Sequence, residues 1–266
     1  MRSAIVDIAT PDGVADAYLS RPDDDRQYPG VLLLTDAFGL RPQIEEMADR
    51  IAAQGYVVLA PNVYYRGGRA PLIPDMDLTK PDSRADFMER FRPFRDELTS
   101  ARMTTDGAAY LDFLAQLAPG PAAVDGYCMG GRLGWRIAAA HPDRVVALAA
   151  FHPGRLVTDG PDSPHHSSEM LRTEVYLGYA DHDPNMTAEQ IAELERALDE
   201  AGVRYASELY TGAEHGFTMA DTLAYDENGA EHHFDQLFAL LGRAAKAQTT
   251  DMSRDEETRL EDQASS

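Results

Sequence analysis

Val124-Asp125-Gly126-Tyr127-Cys128-Met129-Gly130-Gly131 is the stretch that decides how this chain is read. Ala122-Ala123-Val124 is an apolar run that ends a buried strand. Residues 133–140 read as a helix stopped at His141-Pro142, because proline lacks the N–H that a helix needs. Gly-x-Cys-x-Gly at a strand-to-helix junction is a nucleophile elbow with Cys in place of Ser. Such a turn strains its tip residue, and Gly126 and Gly130 carry no Cβ that would meet the neighbouring strand and helix. The Cys128 thiol then projects at a helix N-terminus, where the dipole and free N–H groups favour thiolate and oxyanion. Cys128 is the only cysteine of the chain, and its bland reading is a structural thiol beside a tight turn.

Outward from the elbow, strands alternate with helices. Residues 5–8 and 14–19 alternate as two strands around Thr10-Pro11-Asp12-Gly13, an antiparallel hairpin. Val31-Leu32-Leu33-Leu34 reads as a strand buried on both faces, 42–54 as an amphipathic helix ended by Gly55, and 56–60 as another buried strand. The 62–99 connection is irregular, with a short helix around 84–91, and a connection of that length serves as a lid or substrate wall or is a solvated excursion. A helix over 101–117, strands over 145–151 and 174–179, a helix over 187–201 with a Thr187/Gln190 capping box, a strand over 203–210 and a helix over 232–246 follow. No repeat and no internal linker interrupts this order, so residues 1–246 read as one α/β domain on a mostly parallel sheet with helices on both faces. Residues 247–266 read as an acidic, disordered tail.

Composition narrows the classes. The 266 residues include 45 acidic and 24 basic groups, a net charge of −21, with six of the acidic and two of the basic groups between 247 and 266. That balance argues against nucleic acid and against anionic membranes as partners, both of which call for basic patches. A small anionic substrate would be repelled at long range and would need local arginines. A single Cys excludes an internal disulfide framework, and no signal-peptide layout or membrane-length apolar run is present, so a cytoplasmic protein is expected.

A nucleophile at an elbow needs a base and an orienting acid, in that architecture following it as acid and then base on loops after strands. Asp181, three residues beyond Gly178, and His215, after the last strand, occur in that order. Asp183 is the rival acid; Asp181 is preferred as the nearer to the predicted strand end. The oxyanion would take backbone N–H groups of Met129 and of Ala37, in the loop after residues 31–34, and Asp36 beside it could accept the thiol proton. His165-His166 and His232-His233 read as surface residues rather than metal ligands, and no metal site is expected. Tyr64, Tyr65, Trp135 and His152 read as packing, with Tyr64 a weaker candidate for the pocket.

Five stretches together carry a family resemblance: Leu34-Thr35-Asp36-Ala37-Phe38-Gly39-Leu40, Ala60-Pro61-Asn62-Val63-Tyr64-Tyr65-Arg66, the Cys128 elbow, Gly178-Tyr179-Ala180-Asp181 and Tyr210-Thr211-Gly212-Ala213-Glu214-His215-Gly216-Phe217. They resemble the dienelactone hydrolase (carboxymethylenebutenolidase) family over roughly 3–246. The resemblance implies an α/β-hydrolase fold, a Cys-His-Asp triad, hydrolysis of an enol-lactone without a cofactor, and a carboxylate at the Asp36 position that takes the thiol proton. The family's best-known members carry Glu at that position. They also hold the substrate carboxylate partly with an Arg four residues after the catalytic His, where this chain has Met219. Arg66, Arg69 and Arg84 are candidates for a second such Arg.

The reading is therefore a hydrolase of activated esters or enol-lactones acting through Cys128, Asp181 and His215. The alternatives are a non-catalytic ligand-binding protein or a redox sensor on the same fold; the latter would need an external thiol, since no resolving Cys exists. The natural substrate and the oligomeric state are left open.

Overall fold

The computed structural model describes residues 1–73 and 77–264, with the side chains of all of these except 84 and 248–264. Eight strands form one sheet: β1 (Arg2–Thr10), β2 (Gly13–Arg21), β3 (Gly30–Leu34), β4 (Val57–Pro61), β5 (Ala122–Tyr127), β6 (Val145–Phe151), β7 (Glu174–His182) and β8 (Tyr205–Glu214). Their order is β1-β2-β4-β3-β5-β6-β7-β8. The first two strands form the expected hairpin, with Thr10 opposite Gly13, and β2 joins β4 antiparallel. Every other pairing is parallel.

The helices are α1 (Pro42–Ala52), α2 (Pro81–Asp96), α3 (Ser100–Leu117), α4 (Met129–Ala140), α5 (Ala188–Ala201) and α6 (Glu227–Ala264). Side chains alternate across each strand, so every central strand feeds two cores. Leu32, Leu34 and Val124 pack with Met103, Tyr110 and Leu114 of α3, Trp135 and Ile137 of α4, and Leu194 and Leu198 of α5. Val31, Leu33 and Val58 pack with Ile44, Met47 and Ile51 of α1 and Leu237, Leu240 and Leu241 of α6. The α5 capping box is formed: Thr187 Oγ1 accepts the Gln190 N–H at 3.4 Å and Gln190 Oε1 accepts the Thr187 N–H at 2.9 Å. Gly202 then ends the helix in the left-handed conformation.

Some expectations are corrected. The helix in the 62–99 connection runs twice as far as expected, through Pro93, because Phe87 and Phe91 stack on each other at 4.0 Å and are both buried. The helix after the elbow starts at Met129 rather than at residue 133, directly beside Cys128. Of the paired histidines, His165 and His233 are buried and only their neighbours reach solvent. Adjacent residues on a helical turn point apart, so one of each pair faces inward. Of the tail expected to be disordered, 247–266, Ala247 is described in full, 248–264 by backbone alone within α6, and 265–266 lie outside the described residues. Among the described residues no helix is long and apolar enough to cross a membrane.

The elbow sits at the C-terminal end of central β5, and its glycines are explained by backbone crowding. A Cβ on Gly126 would strike the Gly130 carbonyl, and one on Gly130 would strike the Leu34 carbonyl at the end of β3. Both obstacles are backbone and cannot rotate away. Gly130→Ala is expected to lower unfolding free energy by about 3 kcal/mol, the upper end of ordinary overpacking. Gly242→Ala, where a Cβ meets nothing within 4 Å, is expected to be neutral or stabilising. Urea unfolding midpoints of both variants against the parent check the contrast.

Candidate active site

Cys128 is the residue before α4, with φ of 53° and ψ of −111°. Its N–H donates to Phe151 O at 3.0 Å, and its carbonyl accepts the N–H groups of Gly131 and Gly154, each at 3.2 Å. The tip is thus fixed from both sides while its side chain stays half-buried at the mouth of a cavity of about 450 Å³. Of the described non-glycine residues only Cys128, His152 (φ 37°) and Arg155 (φ 61°) have positive φ. Cys128 and Arg155 line this cavity and His152 packs behind His215, which also lines it; strain of that kind concentrates at functional sites.

The structure brings His215 to the thiol. His215 Nε2 lies 2.9 Å from Cys128 Sγ, and Nδ1 lies 2.5 Å from Asp183 Oδ2. Asp183 is buried, and its Oδ1 accepts both the backbone and the side-chain N–H of Asn185, at 2.8 and 2.9 Å. Burial opposes a charge on His215, but the neighbouring Cys128 and the Asp183 carboxylate outweigh it and raise the imidazole from 6.5 to about 10. A thiol, an imidazole and a carboxylate in one hydrogen-bonded row can hold a thiolate–imidazolium pair and pass a proton along it.

Asp181, the acid preferred from spacing, is not at His215. It is exposed and accepts the Gly212 N–H at 2.9 Å. The reason lies in β7, which runs to His182 rather than stopping near 179. Its pairing with β8 shifts register between Ala180 and His182, so Asp183 is the first residue beyond the strand.

Asp36 is also engaged differently. Its two carboxylate oxygens accept a fork of bonds from Arg41 at 2.7 and 3.0 Å, and Oδ1 accepts the Phe38 N–H at 2.9 Å. Arg41 donates a second fork to Asp221 at 2.6 and 3.0 Å. Asp36 is the near end of a bridge between the loop after β3 and the loop beyond His215, and among the described residues it has no hydrogen bond to Cys128. Arg66 is taken up by Asp12 and Asp106, and Arg69 by Asp7 on β1, so neither reaches the cavity. The Arg84 side chain lies outside the described residues.

Ala37 and Met129 both line the cavity with Cys128 and His215. Tyr64 ties them together: its buried hydroxyl lies 3.1 Å from the Ala37 carbonyl and 3.3 Å from Met129 Sδ. His152, given no role by sequence, is fully buried, packs edge-on against His215 at 5.2 Å between centroids, and meets Thr218 Oγ1 at 2.8 Å. Burial, then the nearby His215 and His233, hold it well below 6.5, so it stays neutral. Arg95, Arg132 and Arg155 also line the cavity and were not anticipated. Arg132 stands four residues after Cys128, hence on the same face of α4, a spacing that could have exposed it. A second cavity of about 470 Å³, beside Phe38, Arg41 and Asp221, is lined by neither Cys nor His. No cluster of three or more His, Cys, Asp or Glu suited to a metal ion occurs among the described residues.

The pattern of the Dienelactone hydrolase family matches residues 15–245. A protein of Synechocystis sp. that carries the provisional name carboxymethylenebutenolidase is 26% identical over 219 residues, 80% of this chain and 85% of its own. One of Salmonella typhi with the same provisional name is 27% identical over 83% of this chain and 80% of its own. Among solved structures, a provisionally named dienelactone hydrolase from Klebsiella pneumoniae superposes with a TM-score of 0.79 at 21% identity, covering 91% of this chain and 98% of its own. A dienelactone hydrolase-like promiscuous phosphotriesterase from metagenomic libraries superposes at 0.71 and 20% identity, with the same coverage.

Because the folded His215 titrates above its ordinary 6.5, it stabilises the fold fully below about pH 6.5, and that contribution is lost as pH rises through about 10. Asp183→Asn is expected to lower the His215 pKa, opening a stability gap to the parent that is full at pH 6 and closes towards pH 10. Asp181→Asn is expected to leave the His215 pKa in place. Ring ¹⁵N titration by NMR and denaturation midpoints at pH 6, 8 and 10 check both.

Proposed function

Because the chain belongs to the dienelactone hydrolase family and is a hydrolase, we propose that it cleaves an activated ester or enol-lactone through Cys128, His215 and Asp183, with a thioester intermediate. The observation that carries this reading is the 2.9 Å approach of His215 Nε2 to Cys128 Sγ on a backbone held at positive φ.

Cys128 attacks the acyl carbon as thiolate. Negative charge develops on the acyl oxygen and is met by the Met129 and Ala37 N–H groups, whose relative position Tyr64 secures through its contacts with both residues. The tetrahedral intermediate collapses to the thioester and expels an enolate or alkoxide, which takes the His215 proton as needed. Acylation removes the charge on Cys128 that helped to keep His215 protonated, and burial then favours the neutral ring. His215 in that state accepts a proton from water, which attacks the thioester and releases Cys128 and the open acid. One residue thereby acts as acid and then as base without a change of position. A thiolate is a modest base suited to a good leaving group such as an enolate, which places esters and lactones ahead of amides.

Hydrolysis of 4-nitrophenyl butanoate and of a dienelactone by the parent and by Cys128→Ala tests the assignment. Turnover by the parent, absence of turnover in the variant, and a Cys128-bound acyl mass after rapid acid quench are expected. Turnover that persists in the folded Cys128→Ala protein would overturn it. Tyr64→Phe is expected to lower kcat by roughly tenfold with little change in KM, since it loosens a transition-state contact rather than removing one of the oxyanion donors, which costs about 10²–10³. Steady-state kinetics on the same ester check this.

A further inference from the structure

One buried group beside the site is used by no step of the hydrolysis. His152, the first residue beyond β6, is fully buried and holds φ of 37°. That conformation costs a non-glycine residue free energy and persists only where the surrounding structure enforces it. Contacts at this point reach all three segments that carry the thiol, the acid and the base. Phe151, its neighbour, accepts the Cys128 N–H at 3.0 Å. The His152 N–H donates to Gly178 O at 2.7 Å, on β7, the strand that delivers Asp183. Its Nε2 lies 2.8 Å from Oγ1 of Thr218, which is buried three residues beyond His215. The ring is neutral, and its shielded Nδ1 has no hydrogen-bond partner among the described residues. Buried N–H groups are left orphaned more rarely than acceptors. The single ring hydrogen therefore sits on Nε2 and is donated to Thr218.

Resting on the ester- or lactone-cleaving function above, we propose that His152 is a positioning residue, which together with Thr218 keeps His215 in place while Cys128 is acylated. In the free protein His215 is held at both nitrogens, by Cys128 and by Asp183. In the thioester the sulfur is neutral and bonded to the acyl carbon, so Nε2 loses its partner and the Asp183 bond alone remains. A ring held by one bond can swing, and deacylation needs Nε2 aimed at the incoming water. The His152 ring, 5.2 Å from that of His215 between centroids and inclined at 69°, fills the space behind it. The Thr218 bond ties the base loop to the end of β6, so consecutive residues, 151 and 152, hold nucleophile and base from one strand end. Neutrality is part of the task, because a cation there would oppose the imidazolium that His215 becomes.

Steady-state and burst kinetics on 4-nitrophenyl butanoate test this in the full chain. Thr218→Val and His152→Asn, the latter chosen because Asn tolerates positive φ, are each expected to lower kcat about tenfold, while kcat/KM, which reports acylation, stays within about twofold of the parent. The acyl mass on Cys128 is expected to rise at steady state as deacylation slows. Thr218→Ser, which keeps the hydroxyl, is expected to recover most of the loss, whereas a role in packing alone would favour Thr218→Val. Where His152→Asn does not fold, the two Thr218 variants decide. Equal losses in kcat and kcat/KM, a Thr218→Ser loss as large as that of Thr218→Val, or no change in any folded variant would overturn the proposal. A second readout needs no turnover. Iodoacetamide caps Cys128, the only cysteine, and so imitates the acylated sulfur. NMR relaxation of the His215 ring C–H groups is expected to show an ordered ring in the capped parent and a mobile one in the capped variants; an ordered ring in all of them would overturn the proposal. Failure of the parent to hydrolyse the ester would count against the hydrolytic assignment, with the capped proteins still deciding whether His152 holds the ring.

Discussion

The site depends on one close approach, the first turn of α4 pressed against the end of β3. Only hydrogen atoms at Gly126 and Gly130 allow the helix to begin where it does, with the Leu34 carbonyl lying where a Cβ would stand. The approach places Cys128 at a positive φ, brings the loop carrying Ala37 alongside Met129, and lets Tyr64 reach both. Beyond it, β6 closes the other flank by accepting the Cys128 N–H at Phe151, and the loop that follows supplies His152 and Arg155 in strained conformations of their own. The backbone stores strain around the thiol because the packed sheet beneath over-determines it.

The parts of this arrangement that sequence discloses are those set by local rules. The elbow is visible because glycine spacing, apolar run and helix stop all belong to one short stretch, and His215 because it follows the last strand. The α/β layout was equally plain from the alternation of apolar runs with helical stripes. Asp183 rather than Asp181 meets His215 because the end of β7 is decided by its pairing with β8, including a register shift that no property of residues 174–183 announces. Asp36 kept its family position but not its expected partner, since Arg41 lies five residues on and Asp221 far along the chain. Arg155 lies in a polar loop and Arg132 on a helix with no apolar or motif signal of its own, and only the folded chain brings both to one cavity.

Charge is distributed with a division of labour. Most acidic groups are on the outside, where they keep the protein negative and are screened by salt within about 10 Å. At the cavity the balance differs: Arg132 and Arg155 line it with no carboxylate partner among the described residues, beside the Cys128–His215–Asp183 row. The neutral, buried His152 behind His215 adds no charge to that row: an imidazolium there would repel the charged form of His215.

The Asp36–Arg41–Asp221 bridge has a consequence for inheritance. It joins residues up to 185 positions apart, with Asp36 and Arg41 buried. Removing any one partner strands a charge in the interior, a loss of about 3–5 kcal/mol where the partner left behind is buried, whereas exchanging all three for matched apolar groups need not destabilise at all. Such a trio cannot drift one position at a time. Lineages would keep it whole or replace it whole, and a chimera that takes the loop after β3 from one parent and the loop beyond His215 from another would break it at the splice.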